Sequence, residues 1–491
     1  MLLLLAVLVG PVVPAATKPN VLLICVDDLK PAIGAYGDPH AKTPNLDRLA
    51  ARGVRFDAAY CNQAVCAPSR NALLTGLRPQ TVGIYDLGTN FRKATPHAVT
   101  LGQYFQKHGY RTGAVGKIFH VGHGNQEDPA SWSEGHFPAR SIDYARPENL
   151  RTESREEALF ANRSAAGRPR GAAWERADVP DETYGDGKVA GEAVRRLKEA
   201  AQQPGQPFLL AVGFLKPHLP FCAPERYWRL HDPATLPSPT WRKPPEGAPG
   251  YAVHSSGELR NYEGIPPRGE LPEDLQRTLV HGYYAATSYM DAMLGRVLDA
   301  LEETGLASRT VVALWGDHGY HLGDHGLWNK HTNYEQATRV PLIVAGPGVA
   351  TGVHSAAMIE TVDLYPTLAE LTGLPGPAGL DGRSFRAVLH DPATAHRDHV
   401  THVFPRGARL GRAVRTNRHR LVEWKVPGAA AATAEYELYD YEEDPAETRN
   451  LVSERPQVQA RLLALLSQQP EARPPWKATQ GAKAAGAKPT S

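Results

Sequence analysis

Asn20-Val21-Leu22-Leu23-Ile24-Cys25-Val26 is apolar from its second residue onward and ends on the pair Asp27-Asp28. A continuous apolar run, rather than an alternating one, reads as a strand buried on both faces of a parallel sheet. Its two carboxylates then stand at the carboxyl end of the strand, where open α/β sheets bind ligands. The same arrangement recurs downstream. Tyr110 to Val115 leads to Gly116-Lys117, Phe208 to Phe214 to Lys216-Pro217-His218, Thr310 to Trp315 to Gly316-Asp317-His318, and Pro341 to Ala345 to Gly346-Pro347-Gly348. Helical patterns lie between these runs. Thr43 is placed to cap a helix that has Pro44 at its first position and stops at Gly53. Thr100 to His108 reads as a second helix. Pro272 to Glu303 reads as a long one, with Leu275, Leu279, Tyr283, Ala286, Met290, Leu294 and Leu301 on its apolar face. Strand alternating with helix predicts an α/β fold built on a doubly wound sheet.

Composition bounds the rest. The chain has 491 residues, enough for about two or three domains. Hydrophobic residues at 42% and charged residues at 22% describe a globular chain and exclude wholesale disorder or a fibre. Lys+Arg 54 against Asp+Glu 52 gives +2, so global charge points to neither nucleic acid nor a membrane surface as partner. Four cysteines are too few for a disulfide scaffold. Cys25 reads as core, and pairing of Cys61 with Cys222 is left open. Asn162-Arg163-Ser164 is a glycosylation sequon.

Met1 to Ala16 reads as a signal peptide, which implies export to the periplasm or the medium. No later stretch approaches roughly 18 uninterrupted apolar residues, so no membrane span is expected. Two segments break the strand-helix alternation: polar Arg140 to Lys188, and Pro217 to Pro272, rich in Pro, Trp and Tyr. Loops this long are functional or disordered. The second reads as substrate-shaping, the first equally as a solvated insertion. After Pro392, short strands at His402 to Phe404, Arg412 to Arg415, Arg420 to Trp424 and Tyr436 to Tyr439, then a helix at Pro456 to Leu466, predict a smaller α+β unit. The expected division is a signal over 1–16, a catalytic domain over 17–391, a small C-terminal domain over 392–474 and a disordered tail over 475–491.

The chemistry begins with Asp27, Asp28, Asp317 and His318. Packing two strand ends together converges three carboxylates, which repel one another unless a cation joins them. Oxygen ligands favour Ca²⁺ or Mg²⁺, and the imidazole tilts the choice toward Mn²⁺. The competing reading is that the aspartates cap the helices that follow. In Cys66-Ala67-Pro68-Ser69-Arg70, Pro68 suits the first turn of a helix. That puts Cys66 at a helix N-terminus, where an anion is favoured, with Arg70 as a permanent cation beside it.

That string, followed by Leu73-Leu74-Thr75-Gly76, resembles the signal by which type I sulfatases of the alkaline phosphatase superfamily convert Cys to formylglycine. Thr43-Pro44-Asn45-Leu46-Asp47 and Gly316-Asp317-His318-Gly319 match the same family, and the resemblance extends from Pro19 to about Leu451. Gly116-Lys117-Ile118-Phe119-His120, Lys216-Pro217-His218-Leu219-Pro220 and Leu322 to Lys330 look like its iduronate 2-sulfatase branch. Two positions depart from many arylsulfatases: Lys117 and His120 are spaced by two residues, and His318 stands where Asn is common.

The resemblance implies an alkaline-phosphatase-like α/β/α sandwich with a large mixed sheet and a small C-terminal antiparallel sheet. It implies a metal held by Asp27, Asp28, Asp317, His318 and the residue at position 66, with calcium the expected ion. Cys66, as a hydrated aldehyde matured by the formylglycine-generating enzyme, would attack sulfur and then expel sulfate by elimination. Arg70 would neutralise charge, Lys117 and Lys330 would grip sulfate, and His120 would orient the diol. His218 would protonate the leaving alcohol, with Lys330 the competing donor. Tyr320 and His321 either face the sugar or pack the loop. The expected substrate is a sulfated oligosaccharide or polysaccharide of glycosaminoglycan type, cut at 2-O-sulfated uronate. Lys330, His218 and the Arg-rich loops are the expected partners of the uronate carboxylate. Rival readings are a phosphonate monoester or phosphodiester hydrolase, a choline-sulfatase-like enzyme, and a non-catalytic glycan-binding protein.

Overall fold

The computed structural model describes residues 18–138, 144–150 and 153–477. The expected signal at 1–16 and residues 478–491 of the expected tail lie outside the described residues. Trp476 donates its backbone N–H to the Gly83 carbonyl at 2.8 Å, so the chain is still engaged one residue past position 475.

Eight strands form the main sheet: β1 (Asn20–Val26), β2 (Gly53–Tyr60), β3 (Arg111–Gly116), β4 (His136–Phe137), β5 (Phe208–Phe214), β6 (Thr310–Gly316), β7 (Leu342–Ala345) and β8 (Val353–Glu360). Their order is β8-β2-β7-β6-β1-β5-β3-β4. β1 lies between β5 and β6, parallel to both. The short strand β7 runs antiparallel to β6 and β2, which makes the sheet mixed.

The apolar run that identifies β1 splits cleanly between the two faces. Val21, Leu23 and Cys25 pack with Leu73, Leu74, Leu101, Phe105, Leu364 and Leu368. Those residues come from helices Cys66–Thr75, Leu101–Lys107 and Leu364–Leu371. Leu22, Ile24 and Val26 pack with Val189, Ala193, Leu197, Tyr289, Leu294 and Val297, from helices Gly185–Ala201 and Glu273–Glu303. The result is an α/β/α sandwich. Cys61 belongs to the first cluster and Cys222 to the second, so the sheet separates them and no disulfide joins them.

Three features differ from the sequence reading. β2 and β8 escape it because polar residues (Arg55 and Asp57 in one, His354 in the other) interrupt their apolar pattern. Helix Pro44–Ala50 makes no side-chain cap bond at Thr43. Its first-turn N–H groups are met instead by Asp291 of the long helix, from Leu46 N at 2.7 Å and Asn45 N at 3.2 Å. The Thr43 hydroxyl accepts from Gly34 N at 2.9 Å. Finally, the polar segment after Arg140 carries helix Arg155–Phe160 and strand Trp174–Ala177, the latter paired with Phe221–Pro224 of the second long segment.

A second, antiparallel sheet follows: β9 (His399–Arg406), β10 (Arg409–Thr416), β11 (His419–Lys425) and β12 (Glu435–Asp440), in that order. Helix Pro456–Ser467 covers it through Leu462 and Leu466. This sheet braces the segment after Lys330. Tyr334 donates to Glu437 at 2.8 Å, Arg415 and Arg420 to Glu335 at 3.1 and 2.7 Å, and Glu335 N to Glu447 at 2.8 Å.

Candidate active site

Backbone register builds the centre. Val26 is level with Gly316 and Phe214 on its two neighbours. The next step continues the ladder: Asp27 N donates to Phe214 O at 3.2 Å and Asp317 N to Val26 O at 3.0 Å. Two carboxylates from residues nearly three hundred positions apart in sequence are thereby set side by side. Lys117 N extends the same line to Gly213 O at 3.0 Å. That crossing requires glycine, because a Cβ on Gly213 would lie 2.0 Å from the Lys117 carbonyl oxygen.

Cys66 opens its helix, with extended Val65 as N-cap. Its Sγ is 3.3 Å from His318 Nε2, 3.4 Å from Asp27 Oδ1 and 3.6 Å from Lys117 Nζ. Burial and Asp27 push the Cys66 thiol up. Arg70, one helical turn on, is fully buried. Its Nε donates to Asp317 Oδ2 at 2.8 Å, its Nη1 to the Ile118 carbonyl at 3.1 Å, and its Nη2 lies 3.7 Å from Asp27. Ser69 Oγ donates to Asp317 O at 2.5 Å. Lys117 Nζ also donates to Asp27 Oδ2. The aspartates are therefore occupied by the centre itself and cap no helix.

Asp27, Cys66, Asp317 and His318 each offer a ligand atom, all four within 4.8 Å of one another. Asp28 sits at their edge, with Oδ1 3.2 Å from His318 Nδ1. That Oδ1 is buried and also lies 3.1 Å from Lys330 Nζ. Carboxylates gathered this closely with an imidazole, all of them buried, are a donor set that a divalent cation fits.

Asp28 Oδ2 faces outward to Lys330 Nζ at 3.2 Å and His218 Nε2 at 3.9 Å. The next residues out line a cavity of about 200 Å³: Cys66, His120, His123, Glu156, Phe160, His218, Glu258, Asn261, Lys330 and His331 among them. His120 Nε2 is 3.2 Å from His123 Nδ1. Burial, Lys117 and His123 hold His120 well below the usual imidazole range. Burial and Lys330 act in the same direction on His218, but Asp28, Asp27 and Glu258 outweigh them and raise it to about 10. Burial and neighbouring Glu258 raise Glu156 to about 7.

The ten residues given a catalytic or metal-binding role in sequence thus converge on one buried centre and its cavity. Tyr320 and His321 do not line it. Both are fully buried, with Tyr320 donating to Trp328 O and His321 bonded to Thr332. Lys216 is structural as well, its Nζ holding the carbonyls of His218 and Pro220 at 2.9 and 2.7 Å. Among the described residues no arginine lines the cavity, and Arg140 and Arg151 of the Arg-rich segment lie outside them. Asn162 uses its side chain on the neighbouring loop, accepting from Gly124 N and donating to Asn125 O. Sequence reasoning missed Glu258, Glu156, Phe160 and His123. Only His123 carried a signal, as the continuation of the Lys117, His120 spacing.

The sulfatase family matches residues 19–374, and the C-terminal region of N-sulphoglucosamine sulphohydrolase matches residues 323–472. Iduronate 2-sulfatase of Mus musculus is 37% identical over 405 residues, spanning 75% of this chain and 71% of the relative. A protein solved with its substrate D-glucosamine-2-N,6-O-disulfate superposes with a TM-score of 0.71 at 21% identity, covering 92% of this chain and 97% of the other. Phosphonate monoester hydrolase of Agrobacterium radiobacter gives a TM-score of 0.71 at 23% identity, covering 92% and 96%. The two solved structures share the fold, and the sequence matches carry the lineage: the chain belongs to the sulfatase family and is a sulfuric ester hydrolase.

Proposed function

We propose that this chain is an exported exosulfatase that removes 2-O-sulfate from terminal uronate residues of glycosaminoglycan-like chains, through a formylglycine made from Cys66. The observation that carries the chemistry is the placement of Cys66: a helix N-terminus within 3.3–3.6 Å of His318, Asp27 and Lys117. The substrate class rests on the likeness to iduronate 2-sulfatase and on a cavity sized for one sugar.

Asp27, Asp28, Asp317, His318 and residue 66 would hold the cation, Ca²⁺ in this reading with Mg²⁺ or Mn²⁺ as alternatives. Bound there, it supplies positive charge for the sulfuryl oxygens. Residue 66, once matured to an aldehyde hydrate, would supply the attacking hydroxyl and a second hydroxyl whose deprotonation would free sulfate, a route that a serine ester does not allow. Lys117, beside Asp27 and Cys66, and Lys330, beside Asp28, bind sulfate oxygens. Arg70, wholly buried, balances Asp27 and Asp317 without meeting solvent. His120 orients the hydrate. As the S–O bond breaks, its electron pair stays on the sugar oxygen, and His218 Nε2 delivers the proton. The signal over 1–16, maturation by the formylglycine-generating enzyme and a domain boundary near residue 391 belong to the same proposal. Among the described residues no helix is long and apolar enough to cross a membrane.

A second reading is a small cationic sulfate ester such as choline sulfate. It is favoured by Phe160, Glu156 and Glu258 in the cavity wall, an aromatic face with acids. The test is sulfate release by protein matured with the formylglycine-generating enzyme, with and without chelator. The substrates are a disaccharide sulfated only on the uronate 2-oxygen, one sulfated only on the glucosamine 6-oxygen, choline sulfate and a phosphonate ester. Chelator-sensitive release from the first alone supports the proposal. Release from another substrate alone reassigns the specificity, and release from none overturns the reading.

A further inference from the structure

We propose that Glu258 is a positioning residue, which holds His218 and Lys330 against the oxygen that leaves with the sugar. The inference rests on the site reading above and adds to it a residue that no motif marked.

Glu258 reaches the cavity from the long loop between Phe221–Pro224 and helix Glu273–Glu303. Its Oε1 lies 3.0 Å from His218 Nε2 and 3.1 Å from Lys330 Nζ, and its Oε2 3.0 Å from Lys330 Nζ. The one carboxylate thus touches both groups able to protonate a leaving alcohol. His218 Nδ1 is engaged separately, 2.5 Å from the Leu219 carbonyl oxygen. A ring flip would sacrifice that bond, so Nε2 is the nitrogen presented to the cavity, and Glu258 is what it meets there.

The loop that delivers Glu258 is pinned on both sides. Ser256 Oγ accepts from Trp328 N at 2.9 Å, two residues before Lys330. Leu259 is buried among Tyr283, Tyr320 and Trp328. Arg260 Nε and Nη2 donate to the carbonyls of Ser255 and Gly269, each at 2.6 Å. A charged side chain fixed this firmly, against a histidine and a lysine from two other loops, sets geometry rather than filling space.

The role predicts a dependence on the leaving group. A sugar or choline oxygen leaves as an alkoxide and needs a proton as its bond to sulfur breaks. The oxygen of 4-nitrophenyl sulfate leaves as a stabilised phenolate and needs none. Matured wild type, Glu258→Gln and Glu258→Asp are compared on 4-nitrophenyl sulfate and on whichever alkyl sulfate, sugar or choline, the wild type turns over. Glu258→Gln is expected to lower kcat on the alkyl ester by about 100-fold, and about 10-fold or more beyond its effect on the aryl ester, within the range of general acid catalysis. KM should move much less. Glu258→Asp keeps the charge and should recover part of the alkyl activity. If the Gln form does not fold, as judged by its thermal transition, the Asp form carries the same comparison. Equal losses on both esters, or no loss on the alkyl ester, overturn the proposal. A wild type inactive on both esters overturns the site reading, and Glu258 with it.

Discussion

Arg420 of β11 is fully buried between the two sheets. Its Nη1 donates to Glu447, and its Nη2 to Glu335 Oε2 at 2.7 Å and Thr338 Oγ1 at 3.1 Å. Replacing it with Met keeps most of the apolar stem and removes every donor. Glu447, itself 1% exposed, then loses its guanidinium, while Glu335 keeps Arg415 at 3.1 Å. Removing one partner of a buried pair costs about 3–5 kcal/mol, and because Arg415 remains the lower end applies, about 3 kcal/mol. The effect has a pH signature. Burial raises the Glu335 carboxyl, but Arg415 and Arg420 outweigh it and bring it to about 2, below the ordinary 4.5. A folded value below the unfolded one gives stability that is fully present above pH 4.5 and is lost as pH falls toward 2. Urea unfolding followed by tryptophan fluorescence, with buried Trp424 in the small sheet and Trp315 in the large one, reads the difference. Arg420→Met should unfold at lower urea at neutral pH, by about 3 kcal/mol, and the gap should narrow below pH 4.5. A gap absent at neutral pH, or unchanged in acid, would refute the reasoning. Because Glu335 anchors the segment after Lys330, the substitution should also lower sulfate release at temperatures where the protein stays folded.

Two further outcomes follow from the centre. Gly213→Ala puts a Cβ 2.0 Å from the Lys117 carbonyl and should cost about 3 kcal/mol or more of stability, read by the same unfolding curves; a wild-type curve would show that the crossing relaxes freely. Asp317→Asn removes one anion from the cation set while Arg70 keeps a neutral oxygen to bond. It should lower bound metal, measured by elemental analysis after dialysis, together with sulfate release, and metal retained at the wild-type level would contradict the assignment of Asp317 as a ligand.

The inner centre was legible because its residues sit one step past strands or at a helix start, in runs whose period declares the element. Once β1 and β6 are parallel neighbours in register, Asp27 and Asp317 have no freedom to be elsewhere. The cavity wall was not legible. Glu156 and Glu258 lie in the two polar, proline-broken segments, where no periodicity fixes direction, and they approach Lys330 and His218 only through tertiary packing. The cap of helix Pro44–Ala50 was misread for a related reason. A local Thr is the default from sequence, but a buried Asp291 from a helix about 245 residues away does the work. β2 and β8 were invisible because strands toward a sheet edge tolerate polar residues that a central strand excludes.

Cys66 is 2% exposed, and its helix is pressed into the core by Leu73 and Leu74. An enzyme that oxidised this thiol would have to reach a side chain enclosed by the packed sandwich. On the proposed chemistry, maturation therefore comes before the helix docks, and the folding rate sets the time allowed for it. A host that folds the chain faster than it converts Cys66 would accumulate stable, correctly shaped and inert protein that no later addition of converting enzyme could rescue without unfolding it first.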